Sequence, residues 1–257
     1  MTNPQLSPNF FAVIPAGGVG SRLWPISQPE HPKFLHDLTG SGRSLLQQTF
    51  ERLAEFLSVD RILVVTGQVH GPAVSAQLPA LKANRLILES APKDSTAAIA
   101  LAAAVLVREN TNAVIGSFAA DHLIGDQVAF AKAVAEAATV AETGLLVTIG
   151  ITPTHASTAF GYIQADLALA GFETARAVTA FVEKPDAKRA SEFLATGECF
   201  WNAGMFVVRA SLLLELLAET EPEMVQTVVK LAEVWHTDAR ADALAELWPA
   251  LHKVAID

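Results

Sequence analysis

The sequence predicts an α/β protein: a mixed, mainly parallel sheet with helices on both faces and a small antiparallel insertion. Three observations lead there. Short β-rich runs alternate with longer runs of helical period from Phe10 to Ile151, and such alternation builds βαβ units whose crossover helices cover both sheet faces. Beyond Ile151 the rhythm changes, because two strand-like runs follow one another with no helical stretch between them. Finally, 257 residues that are 51% hydrophobic and 18% charged suffice to bury the core of one domain.

Each element follows from its pattern. Phe10 to Ala16 is an apolar, β-rich run that stops abruptly at Gly17-Gly18. Ser44 to Leu57 places Leu46, Phe50, Leu53 and Leu57 at spacings of 4, 3 and 4, one face of a helix. Arg61 to Thr66 and Arg85 to Glu89 read as strands. Ser95 to Asn110 is Ala/Leu-rich and helical, with Ser95 as N-cap. Ala113 to Phe118 is strand-like, Asp126 to Glu142 helical, and Leu145 to Ile151 a strand. Phe160 to Ala165 and Ala175 to Glu183 form the antiparallel insertion, Trp201 to Val208 is a further strand, and Ala210 to Leu251 is largely helical. No repeat, low-complexity tract or Gly/Ser linker divides the chain.

Composition removes several classes of function. With 18 Lys+Arg against 27 Asp+Glu the net charge is −9, which disfavours a general nucleic-acid binder. The longest uncharged apolar run, Ala97 to Val107, spans 11 residues and is too short to cross a bilayer. Met1 to Phe10 lacks the basic and apolar regions of a signal peptide. The single cysteine, Cys199, allows no internal disulfide and has no His or cation beside it in sequence. A cytoplasmic protein is expected. The seven histidines show no metal-ligand spacing, and no Gly-x-Ser-x-Gly elbow is present.

The most informative stretch is Ala16-Gly17-Gly18-Val19-Gly20-Ser21-Arg22-Leu23-Trp24-Pro25, directly after the first strand. Glycines there let backbone N–H groups approach phosphates closely. The dinucleotide fingerprint would need a third glycine where Arg22 stands, and the P-loop Gly-Lys-Ser/Thr is absent. What remains is a Gly-rich turn carrying Arg22 and, eleven residues later, Lys33 in Pro32-Lys33. Two cations near such a turn suit a polyphosphate, with Arg as bidentate clamp and Lys as point charge. The alternative is a tight turn with two solvated surface cations. Three further positions carry the same ambiguity. Asp121, at a predicted carboxyl strand end, suits a hard cation beside phosphates, or is a turn residue. Glu89, also at a strand end, is a candidate ligand-binding carboxylate, or is an exposed charge. Glu183-Lys184-Pro185 places an acid and a base side by side; strand alternation aims only one into a site unless a turn begins there, and a surface pair is the alternative.

The run Phe11 to Ser27 containing Gly17-Gly18-Val19-Gly20-Ser21-Arg22-Leu23-Trp24-Pro25, with Pro32-Lys33-Phe34-Leu35, resembles the sugar-phosphate nucleotidyltransferases, and the Arg-Leu-Trp-Pro form is most similar to the mannose-1-phosphate guanylyltransferases. The resemblance continues, in family order, through Ala120-Asp121-His122, Phe160-Gly161-Tyr162-Ile163, Phe181-Val182-Glu183-Lys184-Pro185, Trp201-Asn202-Ala203-Gly204-Met205-Phe206 and Ile256-Asp257. It implies a Rossmann-like fold of the nucleotide-diphospho-sugar transferase type, and transfer of GMP from GTP to mannose 1-phosphate to give GDP-mannose and pyrophosphate.

By residue, the resemblance assigns Arg22 and Lys33 to catalysis. Ala16, Gly17, Gly18, Gly20, Ser21, Glu89 and Ser95 fall to the nucleotide, and Gly161, Glu183, Lys184 and Asn202 to the sugar phosphate. Asp121 and Asp257 become ligands of Mg²⁺, the implied cofactor. Trp201 and Phe206 read as packing residues. Two departures stand out: Ala119 or Ala120 stands in place of the family's proline before Asp121, and Pro92-Lys93-Asp94-Ser95-Thr96-Ala97 replaces its commoner Arg-Asn-Thr-Ala-Pro. A homodimer is a further expectation, and neither nucleic acid nor membrane is an expected partner. The same reaction on glucose 1-phosphate with a uridylyl or thymidylyl group, or a non-catalytic nucleotide-sugar sensor, stays open. The resemblance also implies that residues 1–257 are a catalytic domain cut at its carboxyl end, without the family's C-terminal β-helical domain.

Overall fold

In the computed structural model, which describes residues 6–18 and 20–256, the chain begins with four strand–helix alternations. β1 (Phe10–Ala16) leads through α1 (Leu45–Ala54) to β2 (Ile62–Gly67), then through α2 (Gly71–Gln77) to β3 (Leu86–Glu89). α3 (Asp94–Glu109) leads to β4 (Val114–Ser117), and α4 (Gln127–Ala141) to β5 (Val147–Ile151). β6 (Gly161–Ala168) and β7 (Arg176–Val182) form an antiparallel hairpin, followed by α5 (Ala187–Thr196) and β8 (Cys199–Arg209). α6 (Ala210–Thr220), α7 (Pro222–Glu233) and α8 (Arg240–Leu247) complete the described elements, so the long helical stretch resolves into three helices.

The sheet order is β3-β2-β1-β4-β8-β6-β7, with β5 on β8. β1 pairs in parallel with β2 and β4, and β2 with β3. Buried on both faces, β1 reads as a continuous apolar run rather than an alternating one. β8 is longer than its sequence pattern predicts and sits inside the sheet, antiparallel to β4, β5 and β6. It pairs with β6 over Cys199 to Asn202 and with β4 over Phe206 to Arg209. Trp201, Asn202, Phe206 and Val207 also pair with β5, so β4 and β6 share one side of β8 and β5 takes the other. On the shared side Ala203 to Met205 pair with neither strand, and the sheet splits there; Gly204, at φ +68°, marks the break.

Two cores flank the sheet. Phe11, Val13, Leu63 and Val65 pack with α3, α6, α7 and α8 on one face. Phe10, Ile14, Ile62 and Val64 pack with α1, α2 and α4 on the other. A smaller cluster beneath α5 joins Tyr162, Ala190, Phe193 and Cys199. α3 is buried continuously from Thr96 to Leu106 because sheet and helices enclose it, which its small alanines permit and which removes the one-sided stripe of a surface helix.

Helix ends follow local chemistry. Ser44 and Gln47 form a reciprocal capping box at α1, and Asp126 accepts from the Ala129 N–H at 2.9 Å to start α4. The N-cap expected at Ser95 is corrected: Lys93 takes that position, two residues earlier, and Ser95 lies in the first turn of α3. α2 and α5 are absent from the sequence reading, although their punctuation is there. Pro72 opens α2; Asp186 accepts from the Arg189 N–H to open α5, and Gly197 at φ +69° closes it. No helix among the described residues is long and apolar enough to cross a membrane.

Candidate active site

Strands β1 to β4 are parallel, so their carboxyl ends share one edge of the sheet, and β1 and β4 flank the point where the strand order reverses. Ligands of open α/β sheets bind at that crevice. The Gly-rich turn leaves β1 there, and Asp121 follows β4. Ala16 is buried, its carbonyl accepting from Thr66 Oγ1 at 2.8 Å, which anchors the root of the turn. Gly17 and Gly18 are exposed, with open space where a Cβ would stand. Gly20 is different. A Cβ there would lie 3.0 Å from both Lys33 Cγ and Ser27 Oγ, at φ +59°, so glycine is what lets the Lys33 stem pass beneath the turn. Lys33 ends in an ion pair with Asp121. It is therefore not a solvated surface cation; Arg22, in the short 3₁₀ turn Ser21–Leu23, is exposed.

Glu89, ending β3, is only 7% exposed, which removes the exposed-charge alternative. Its Oε1 has no hydrogen-bond partner among the described residues. Burial, with the nearby Asp94 charge adding to it, pushes its carboxyl up to about 7. His122 is half-buried: desolvation first holds its imidazole below the usual range, and Arg52 and Lys33 add to that against Asp121. Ser95 lies near Glu89 in sequence, but its Oγ accepts from the Ile256 N–H at 3.0 Å. Thr96 N–H donates to Val254 O and Val254 N–H to Lys93 O, so residues 252–256 run across the start of α3. Lys93 Nζ holds the preceding turn through Pro249 O and Leu251 O, each at 2.6 Å. Asp257 lies outside the described residues.

The second half of the site occupies the split in the sheet. A cavity of about 580 Å³ opens there, lined by Gly161, Glu183, Asn202, Phe181, Met205 and Ile256 among others. Gly161 pairs with Asn202 across the β6–β8 ladder, and a Cβ on Gly161 would stand 2.6 Å from Glu183 Oε2. Three of the residues expected at the sugar thus converge. The turn that sequence alternation left open does begin at the end of β7: Lys184 has φ +43°, and its Nζ donates to Glu183 Oε1 at 2.6 Å. Trp201 packs against Phe160 and His155, as a packing residue should. Phe206 belongs to the core and also lines the cavity.

Sequence reasoning missed Leu146, Thr148 and Leu213 in the cavity wall, and quoted Phe181 without giving it a role there. Their apolar or neutral character carries no signal; only the arrangement of β5, β7 and α6 around β8 exposes them.

A family model described as Nucleotidyl transferase matches residues 11–249. The chain belongs to that family. It is 42% identical over 226 residues to mannose-1-phosphate guanylyltransferase RfbM of Salmonella typhimurium, covering 86% of this chain and 46% of that protein. It is 41% identical over 223 residues to alginate biosynthesis protein AlgA of Pseudomonas fluorescens, with 86% and 46% covered. The chain thus spans about half the length of these relatives. A crystal structure described as mannose-1-phosphate geranyltransferase from Thermus thermophilus superposes with a TM-score of 0.82 at 29% identity, covering 97% of this chain and 70% of that one. Family membership and fold agree with the Rossmann-like architecture expected from the motifs: β1 to β6 run one way, and only β7 and β8 oppose them.

Proposed function

We propose that this chain transfers GMP from GTP to mannose 1-phosphate, releasing pyrophosphate and forming GDP-mannose. The observation that carries the reading is the pairing of two half-sites. Lys33 meets Asp121 beside the Gly-rich turn, and Gly161, Glu183 and Asn202 meet at the split in the sheet. The similarity to the Salmonella mannose-1-phosphate guanylyltransferase supports the choice of guanine and mannose.

A sugar-phosphate oxygen attacks the α-phosphorus of GTP; the new P–O bond forms as the bond to the bridging oxygen breaks, and pyrophosphate leaves. A phosphomonoester with a second pKa near 6 is largely dianionic at pH 7, so no protein base has to take a proton. The chain's residues therefore position groups and neutralise charge. The Gly17-Gly18 backbone and Arg22 hold the triphosphate, Lys33 stabilises the departing pyrophosphate, and Lys184 offsets repulsion between the two phosphates. Glu183 and Asn202 orient sugar hydroxyls, and Glu89 reads the base.

The described residues contain no cluster of three or more His, Cys, Asp or Glu able to enclose a metal. Asp121 alone, with a side chain 23% exposed, suits an ion such as Mg²⁺, which keeps waters and shares substrate phosphates rather than needing a protein cage. Asp121, joined by Asp257, would hold that ion, which supplies Lewis-acid neutralisation of the α-phosphate. The test is pyrophosphate release by the purified chain across GTP, ATP, UTP and dTTP, each paired with mannose 1-phosphate and glucose 1-phosphate. Release with GTP and mannose 1-phosphate is expected. Preference for UTP or dTTP with glucose 1-phosphate would reassign the substrates, and GDP-mannose binding without turnover on any pair would leave a sensor.

A further inference from the structure

Two buried polar side chains lie on the inner face of α1: Thr49 at 1% exposure and Arg52 at 6%. Around them that face carries Leu46, Phe50 and Leu53. A buried guanidinium is costly, and an apolar residue would fill the space more cheaply unless the charge does something there. Arg52 Nη2 donates to the carbonyl of His122 at 2.9 Å and approaches Thr49 Oγ1 at 3.4 Å. Thr49 Oγ1 donates to the carbonyl of Ala120 at 3.3 Å. The guanidinium also lies over the Phe130 ring, 5.8 Å from its centre. From the opposite side, the Ala120 N–H reaches the Pro15 carbonyl of β1 at 3.4 Å.

The carbonyls taken by α1 thus belong to the residues on either side of Asp121. None of these bonds touches the Asp121 carboxylate, which reaches Lys33. We propose that Thr49 and Arg52 are positioning residues: they fix the backbone on both sides of Asp121, so that its carboxylate is presented to the triphosphate and its cation. Lysine could supply one donor to the His122 carbonyl but not the planar fork lying against Phe130. The inference rests on the proposed role of Asp121.

The test compares Arg52→Met, Arg52→Lys and Thr49→Val with Asp121→Ala. Hydrogen exchange across residues 118–124 of the ligand-free protein is read first, then the Mg²⁺ concentration that half-saturates thermal stabilisation by GTP, then kcat and KM. Arg52→Met is expected to speed exchange in that segment. It should raise the Mg²⁺ requirement and lower kcat by about ten- to hundredfold, leaving KM for mannose 1-phosphate within about threefold on the same reasoning. Arg52→Lys recovers part of the loss, and Arg52→Met adds no further loss on an Asp121→Ala background. Unchanged Mg²⁺ requirement and turnover in Arg52→Met, or a fully additive loss on Asp121→Ala, overturns the proposal. Should Arg52→Met fail to fold, Thr49→Val decides, and wild-type exchange and Mg²⁺ requirement in it overturn the proposal. Wild-type turnover in Asp121→Ala instead removes the role of Asp121, and this inference with it.

Discussion

Replacing Glu89 by Gln changes one buried carboxyl into a neutral amide of the same shape. The carboxyl is raised from 4.5 to about 7 by burial and by the Asp94 charge, a difference of about 3 kcal/mol between the protonated and ionised forms in the folded chain. The sign follows from linkage. A carboxyl raised on folding binds its proton more tightly in the native state. Its contribution is fully present below pH 4.5 and is lost as pH rises to about 7. Wild-type stability should therefore fall relative to Glu89→Gln by about 2–3 kcal/mol between pH 5 and pH 8. Any constant cost of seating the amide cancels from that difference. Urea unfolding of both proteins at several pH values measures it. Parallel stability curves would refute a buried carboxyl held near neutrality. The same variant bears on chemistry: an amide offers one acceptor and one donor where guanine needs two acceptors. The GTP-over-ATP ratio of kcat/KM should then drop at least about tenfold, the worth of one hydrogen bond, and an unchanged ratio would remove Glu89 from base reading.

Arg22→Ala and Lys33→Ala should each lower kcat about 10²-fold, as loss of a transition-state charge partner does; steady-state pyrophosphate release checks this, and near-wild-type turnover in both returns them to structural roles. Gly161→Ala puts a methyl 2.6 Å from Glu183 Oε2. Because the Glu183 side chain is 67% exposed and its ion-pair partner Lys184 is nearly as exposed and can move with it, thermal unfolding should barely move while KM for mannose 1-phosphate rises about tenfold, the loss of roughly one hydrogen bond. A large fall in melting temperature with unchanged KM would place Gly161 in the fold rather than the site.

Much of the frame was legible because its signals are local. The apolar run Phe10–Ala16 ends at Gly17-Gly18, and the i, i+4, i+7 spacing of Leu46, Phe50 and Leu53 matches the buried face of α1. α2 escaped because its seven residues are too few to show a helical period, whereas α5 is as long as α1 and escaped because few of its residues are apolar enough to mark a buried face. Ser95 looked like a cap because serine before an alanine run is the common pattern, yet the backbone of residues 254–256 claims the start of α3.

The sequence alone determined the chemistry available to the chain: a Gly-rich turn after the first strand, cations at Arg22, Lys33 and Lys184, and carboxylates at Glu89, Asp121 and Glu183. It did so because each depends on residue type and a near neighbour. Which groups meet was decided only by the tertiary structure. Lys33 reaches Asp121 across 88 positions of sequence, Gly161 meets Glu183 and Asn202 through the ladders of β6 with β7 and β8, and Arg52 grips the carbonyl beyond Asp121. The sheet had to close first, since long-range pairing and burial, not any local preference, set those distances and raised the Glu89 carboxyl to about 7.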